Sequence, residues 1–355
     1  MSTSGKAQDN VLITSEEAQR LVIEYLRRHE VPAEVAARLG LQLVTAELAG
    51  RASHGIMRAF EYADAVAGGA VKAAAAPTIT PVSAMASTID GRRGFGILAL
   101  DAAESELLRL TSEQPIAVVA VRNAGHMGML APFGQALAMH GLCCLGFVNY
   151  SGGGQKVAPP GGAEPRLATN PLLIAVPGGP EPIVVDMTTA ATTEGAIRML
   201  RDAGCRVPAG LLHDENGAPV SEAQLLYGDP PRAFIAPLGY PDAPQRGFAL
   251  AVAVELLAGA VAGGGVVGTS QLGTGNSGLF LAFRPDIVGV APKEYEQHLR
   301  ALAEHLAGTR MQRGYPPVRL PGHRPRTDPD LVRLPRVVRD RLGGTARFAR
   351  KAESS

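Results

Sequence analysis

The feature that most narrows the fold is an alternation that begins near residue 82. Short apolar runs, IAVVAVRN (116–123), GLCCLGFVN (141–149), LLIAVP (172–177) and PIVVDM (182–187), are separated by helix-patterned stretches such as DAAESELLRL (101–110) and LAPFGQALAMH (130–140). Runs of this length, partly β-branched and bounded by turn formers, have the pattern of buried strands. Strands that alternate with helices build a layered α/β architecture, in which helices flank a sheet.

The two ends of the chain carry a different pattern. LITSEEAQRLVIEYLRRHEVPAEVAARLGLQLVTAELAG predicts two helices. Thr14 and Glu17 are spaced for a capping box, and Pro32 falls near the first turn of the second helix. RASHGIMRAFEY (51–62) follows and is expected on a third helix, after which GGAVKAAAAPTITP reads as a crossing into another domain. Beyond residue 285 the pattern turns helical again, in PKEYEQHLRALAEHLAGTR, and then becomes rich in proline and arginine. The expected division is a helical domain built from both ends, residues 1–80 with 285–355, around an α/β domain of residues 81–284.

Composition removes several classes of function. With 46% hydrophobic and 19% charged residues in 355, the chain can bury a sizeable core. A net charge of +1 with mixed signs leaves no concentrated basic face, so nucleic acid is not an expected partner. The locally basic stretch from residue 326 reads as a solvated tail or end helix. Cys143, Cys144 and Cys205 cannot form a disulfide framework and no CxxC pair exists, which points to a reducing, cytoplasmic setting. MSTSGKAQDN lacks the apolar stretch of a signal peptide. FALAVAVELLAGAVAGGGVV (248–267) has the length of a membrane span, but Glu255 sits mid-way and glycines cluster at one end. It is expected to be a buried core helix, with no membrane partner.

The obvious motifs fail on context. GTGNSG (273–278) has GxGxxG spacing, yet LFLAFRPDIV after it reads as a strand and no acid stands about 20 residues on, as a dinucleotide fingerprint needs. There is no Walker A sequence, no HExxH and no GxSxG elbow. His140, His213, His298 and His305 have no partners at metal-ligand spacing, so no metal site is expected.

Other residues are better placed for chemistry. RASHGIMRAFEY sets His54, Arg58 and Tyr62 at steps of four, with Ser53 just ahead. On one α-helix such residues share a face, drifting about 40° per step. RNAGHMGM places His126 among glycines directly after a strand, where ligands bind in α/β folds. Asp186 closes the strand PIVVDM, and a carboxylate there needs a partner to stay charged, a histidine being one candidate. NYSGGGQKVAPPGG and LATNPLLIAVP add polar turns at strand boundaries.

Taken in order, SHGIMRAFEY, NAGHMG, VNYSGGGQKVAPPGG, ATNPLLIAVP, VVDMTTA, QRGFALAVAVELLAG, GNSGLFLAF and a final VRLPG resemble the malate/L-lactate dehydrogenase family of the non-Rossmann type. That group includes ureidoglycolate, sulfolactate and diketogulonate oxidoreductases and piperideine-2-carboxylate reductases. The resemblance implies a mixed sheet flanked by helices, a homodimer, and hydride transfer between NAD or NADP and a small 2-oxo or 2-hydroxy carboxylate. It implies Ser53, His54 and Asp186 as a proton relay, with His126 a second active-site histidine. It implies Arg58, Tyr62 and Asn170 on the substrate side. Asn149, Ser151, Met187, Thr188, Thr189, Arg246, Gly247, Gly278 and Leu279 fall at positions around the cofactor. Alternatives are a reductase of cyclic or N-alkyl imino carboxylates and a non-catalytic, ligand-binding relative.

Four positions depart from the family pattern: Ala52 where an acid is common, Ala196 where a base is common, Arg246 in place of the lysine before Gly247, and Leu279 in place of a histidine after Gly278. Three of the four fall on the cofactor side. The expectation is that the chemistry survives while cofactor choice or affinity has shifted.

Overall fold

A computed structural model describes residues 10–344 apart from 154, 180, 270–274 and 324–329. The chain separates into two compact units, Met1–Ala74 with Arg326–Ser355, and Ala75–Pro325. In the first unit, β1 (Asn10–Thr14) leads into α1 (Ser15–Arg28), α2 (Ala33–Leu48) and α3 (Arg58–Ala67). The capping expected at the start of α1 is present: Glu17 N donates to Thr14 Oγ1 at 3.0 Å. Pro32 is the N-cap residue of α2, one position before its first turn.

The second unit opens with β2 (Thr78–Ser83), β3 (Ala86–Asp90), α4 (Gly96–Glu113), β4 (Ile116–Ala124), α5 (Ala131–Met139), β5 (Cys143–Tyr150), β6 (Leu172–Val176) and β7 (Ile183–Met187). There follow α6 (Glu194–Asp202), the two-residue strands β8 (Leu212–His213) and β9 (Phe234–Ile235), α7 (Pro244–Val254), β10 (Asn276–Phe283) and α8 (Pro292–Ala307). Back in the first unit, β11 (Leu331–Pro335) and α9 (Arg336–Gly343) complete the chain's described order.

The main sheet has seven strands in the order β2-β3-β4-β10-β5-β6-β7, with β3 and β4 parallel and the other neighbours antiparallel. This is a mixed sheet without the all-parallel order of a doubly wound domain, in keeping with the rejected GxGxxG. Of that motif, Gly273 and Thr274 lie outside the described residues, and Asn276–Gly278 open β10, the strand expected there. Leu100, Leu107, Val119, Val121, Phe133, Leu137, Leu173 and Phe280 are buried together where α4 and α5 cover one face of the sheet. A second apolar cluster, including Ile197, Leu212, Leu226, Ile235 and Ala251, gathers around α6 and α7.

The unit boundaries differ from the sequence expectation in three ways. Residues 75–80 belong with the sheet, because β2 pairs with β3. Residues 285–325 do so as well: Tyr295 on α8 donates to the Pro177 carbonyl at 2.7 Å, and Val184 N on β7 donates to Pro321 O at 3.0 Å. Finally, the first unit is not purely helical. Its two ends are joined by β1 and β11, antiparallel from Asn10↔Pro335 to Thr14↔Leu331. Neither strand was expected, since a short pairing between chain ends leaves no local periodicity.

The apolar stretch after residue 244 also corrects the expectation. α7 continues through a π-helical segment, Glu255–Val261, making one 18-residue helix of span-like length and hydropathy, but only a third of it is buried. Gly247, Ala251, Val254, Glu255, Ala258 and Gly259 face inward while Leu250, Leu256 and Val261 are exposed, so it is an edge helix and not a core helix.

Candidate active site

In the first unit, His54 is not on the helix that carries Arg58 and Tyr62. Ala52–His54 form a single 3-10 turn, Gly55 is extended (φ −88°, ψ −152°), and α3 starts at Arg58. The break has a cause that a helical wheel cannot show. The carboxylate of Glu47, near the end of α2, accepts the Ile56 N–H at 3.0 Å. A Cβ at Gly55 would collide with the Glu47 Oε2 atom. A side chain at Gly55 would therefore displace the Glu47 carboxylate from the Ile56 N–H. Burial pushes the Glu47 carboxyl above its ordinary range, and the Ile56 N–H partly offsets that.

This break brings the histidine, serine and arginine together in another way. Ser53 Oγ lies 3.1 Å from His54 Nδ1. Arg58 Nε donates to the Ser53 carbonyl at 2.8 Å, and its Nη1 donates to Glu61 Oε2 at 2.6 Å. The Arg58 side chain is only 11% exposed, so its charge is held by that turn and by Glu61, away from bulk water. Tyr62 is 5% exposed, and burial raises its phenol pKa, leaving it a neutral donor packed on α3.

In the second unit, antiparallel register gathers the sequence-predicted residues at one end of the sheet. That end holds the C-terminal ends of β4, β5 and β7 and the N-terminal ends of β6 and β10. Asn276 opens β10 and donates to Asn149 O at 2.9 Å, while its Oδ1 accepts from Met127 N at 3.2 Å, tethering the His126 loop. Gly96 lets that loop lie on the start of α4, since a Cβ there would strike Gly125 O. Asn149 and Asn170 are fully buried. Their amides converge on Glu255, donating to Oε2 at 3.0 Å and Oε1 at 2.9 Å respectively.

The remaining residues divide. Thr188 Oγ1 donates to Thr169 O, and Thr189 Oγ1 to Asn170 O at 3.0 Å, so both hold the turn that carries Asn170. Gly247 backs onto Leu238 and Thr189, where a Cβ would meet backbone atoms. Ser151 is buried with its hydroxyl 3.5 Å from Gly264 O. Met187 ends β7 opposite Leu172. Arg246 is exposed at the start of α7. Gly278 and Leu279 lie inside the central strand, Leu279 between Ala120 and Phe147; a Cβ at Gly278 would press on the Phe280 ring. For these two the structure supplies a packing reason.

Asp186 has an additional task. Its Oδ2 accepts from Leu130 N at 3.0 Å and Ala131 N at 2.9 Å, capping α5 immediately after the His126 loop. An anion at a helix N-terminus is stabilised by unpaired N–H groups and the helix dipole.

Sequence reasoning missed Glu47, Glu61, Asn276 and Glu255. For Glu255 the signal in the sequence is one acid in an otherwise apolar helix. Among the described residues, no group of three or more His, Cys, Asp or Glu is placed to hold a metal.

The malate/L-lactate dehydrogenase profile matches residues 13–329, nearly the whole described chain. The chain belongs to the malate/L-lactate dehydrogenase family. It is thus an oxidoreductase, and the family implies a nicotinamide cofactor. Among curated relatives, the L-lactate dehydrogenase of Cupriavidus necator is 28% identical over 309 residues, covering 86% of this chain and 87% of its own. The Delta(1)-pyrroline-2-carboxylate/Delta(1)-piperideine-2-carboxylate reductase of Pseudomonas putida is 31% identical over 319 residues, covering 87% of each chain. In fold, this member of the family is similar to the malate dehydrogenase of Entamoeba histolytica, with a TM-score of 0.85 at 20% identity over 95% of this chain and 97% of that one.

Proposed function

We propose that the protein reduces a small 2-oxo carboxylate, or oxidises the matching 2-hydroxy acid, with NAD or NADP as the hydride carrier. The observation that carries this reading is the Ser53–His54–Arg58 turn, in which a proton carrier and a nearly buried cation share one backbone segment. Reduction of a 2-oxo acid needs a proton on the developing alkoxide, and an imidazole with an ordinary pKa of about 6.5 is suited to supply it near neutral pH. In this reading His54 moves that proton, while Ser53 Oγ at Nδ1 fixes the ring. Arg58 grips the carboxylate with the N–H groups not engaged by Ser53 and Glu61, aiming the adjacent carbonyl. The relay that the resemblance implies for Ser53, His54 and Asp186, and the roles of His126 and Tyr62, belong to the same proposal.

When bound, the nicotinamide supplies or accepts the hydride. The second unit fits such a group: Asn149 Oδ1 and Asn170 Oδ1 are buried acceptors with no donor among the described residues, and nicotinamide carries an N–H donor group. Thr188, Thr189, Gly247 and Ser151 are the other residues on this side. Exposed Arg246 and half-buried Ala196 are where this chain's preference between NAD and NADP is set in this reading.

A second reading follows from the P. putida relative, whose name is that of a cyclic-imine carboxylate reductase. Arg58 would serve it unchanged, since the carboxylate again adjoins the reducible carbon. Assays with a 2-oxo acid alone, with the same acid plus an amine, and with a cyclic imine separate the two. Turnover of the keto acid alone supports the first reading, and turnover only of imines replaces it with the second. We also place the protein in the cytoplasm as a homodimer, with Leu250, Leu256 and Val261 of the edge helix as the contact face. Light scattering of the wild type and of Leu256→Glu tests that face: the account expects a dimer that the substitution weakens.

A further inference from the structure

Glu255 is 5% exposed, at the point where α7 becomes π-helical. Each of its carboxylate oxygens is taken by a different asparagine, Asn149 Nδ2 on Oε2 at 3.0 Å and Asn170 Nδ2 on Oε1 at 2.9 Å; Oε2 also accepts from Val267 N at 3.2 Å. The remaining N–H of each amide goes to a backbone carbonyl, Gly265 O at 3.0 Å for Asn149 and Ala251 O at 3.1 Å for Asn170. Both orientations are thereby decided, since turning either amide over would set its oxygen against a carboxylate oxygen and a carbonyl.

The consequence appears on the opposite side of each amide. Asn149 Oδ1 and Asn170 Oδ1 accept from no donor among the described residues, although both side chains are fully buried. Buried acceptors in native proteins are nearly always paired, and here two asparagines held by one carboxylate each leave one open. Asn170 moreover sits at φ +35°, and its carbonyl accepts from the Thr189 hydroxyl at 3.0 Å. A carboxylate is the one side chain that can impose this arrangement. It has two acceptor oxygens and no N–H, whereas glutamine would present a donor to one of the amides.

Resting on the nicotinamide-dependent reading above, we propose that Asn149 and Asn170 accept the carboxamide NH2 of the nicotinamide ring and that Glu255 is the positioning residue that keeps both amides turned for it. One NH2 carries two N–H groups, matching two acceptors. Asn170 thereby moves from the substrate side, where the resemblance put it, to the cofactor side. Glu255 touches neither substrate nor cofactor and acts only through the asparagines.

The test is equilibrium binding by calorimetry, without substrate, of three reduced dinucleotides: the natural cofactor, its 3-acetylpyridine analogue, in which a methyl replaces the carboxamide NH2, and its hypoxanthine analogue, in which oxygen replaces the adenine amine. Wild-type protein should bind the acetylpyridine analogue at least about tenfold more weakly than the natural cofactor, and the hypoxanthine analogue within about threefold of it. Glu255→Gln, with the melting temperature of the cofactor-free variant recorded beside it, should shrink the first ratio toward one and leave the second unchanged. Equal wild-type binding of natural and acetylpyridine forms overturns the inference while leaving the dehydrogenase reading intact. So does discrimination that appears only with the hypoxanthine analogue, or a folded Glu255→Gln that keeps the full ratio. Failure to bind any of the three overturns both. Should Glu255→Gln not fold, the wild-type ratios decide alone.

Discussion

The turn of the first unit and the strand-end cluster of the second solve opposite problems. From Ser53 to Tyr62 the chain is local: ten residues carry a histidine, an arginine and a tyrosine, and the Arg58 charge is already answered by Glu61 and by the segment's own backbone. The second unit assembles its polar cluster from the ends of five strands and one helix, more than a hundred residues apart in sequence, and leaves two buried acceptors open. A pre-paired cation is suited to exchanging one carboxylate for another, whereas a rigid acceptor pair is suited to a constant ligand part. Under the proposed function, substrate handling and cofactor handling rest on separable pieces of structure, so single substitutions should affect one without the other.

The strongest break of that comparison is His54→Asn, which should lower kcat by about 10²- to 10⁴-fold while leaving dinucleotide affinity unchanged by calorimetry. Arg58→Ala comes next. It should lower kcat/KM by about 2–4 kcal/mol equivalent, again without altering cofactor binding, because it removes a charged clamp on the carboxylate. Unchanged kinetics in that variant would remove Arg58 from the site. On the other side, Gly247→Ala forces a Cβ onto the backbone of Leu238 and Thr189. A loss of about 1–3 kcal/mol in denaturant unfolding, together with weaker dinucleotide binding, is expected. Glu61→Gln should act more gently: with its competing carboxylate gone, Arg58 binds substrate more readily and KM falls a few-fold.

The smallest effect concerns pH. Burial raises the Glu47 carboxyl in the folded protein, so the native state holds a proton that the unfolded chain has released. Its contribution is fully present below the ordinary glutamate pKa and declines as pH rises from there through the raised value. Melting temperatures taken between about pH 4 and pH 8 should show that decline in the wild type and lack its Glu47 part in Glu47→Gln.

What could be read in advance follows from how local each feature is. β4, β6, β7, α5 and the Thr14 cap were legible, because period-2 and period-3.6 patterning and capping spacings lie within one segment. The His54–Arg58 break was not, because the carboxylate that takes the Ile56 N–H lies nine residues earlier on another helix. Asp186 was found as a strand-end acid, yet its bonds to Leu130 and Ala131 depend on β7 lying beside the start of α5. Glu255 holds asparagines 85 and 106 residues away and Asn276 has partners 127 and 149 away, separations at which one sequence carries no register. The resemblance named candidate site residues by motif, and the packing around Gly247, Gly278 and Thr189 gives these three physical reasons that the motif alone does not state.

The most direct measurement is transfer of an isotope. Reduced cofactor carrying deuterium at one or the other face of nicotinamide C4 is mixed with a panel of 2-oxo acids and the products are weighed by mass spectrometry. The account predicts one deuterium at C2 of a 2-hydroxy acid, delivered from one labelled face only and lost with His54→Asn. Products that carry no label from either face, or no product from any acid or imine with folded protein, would contradict it.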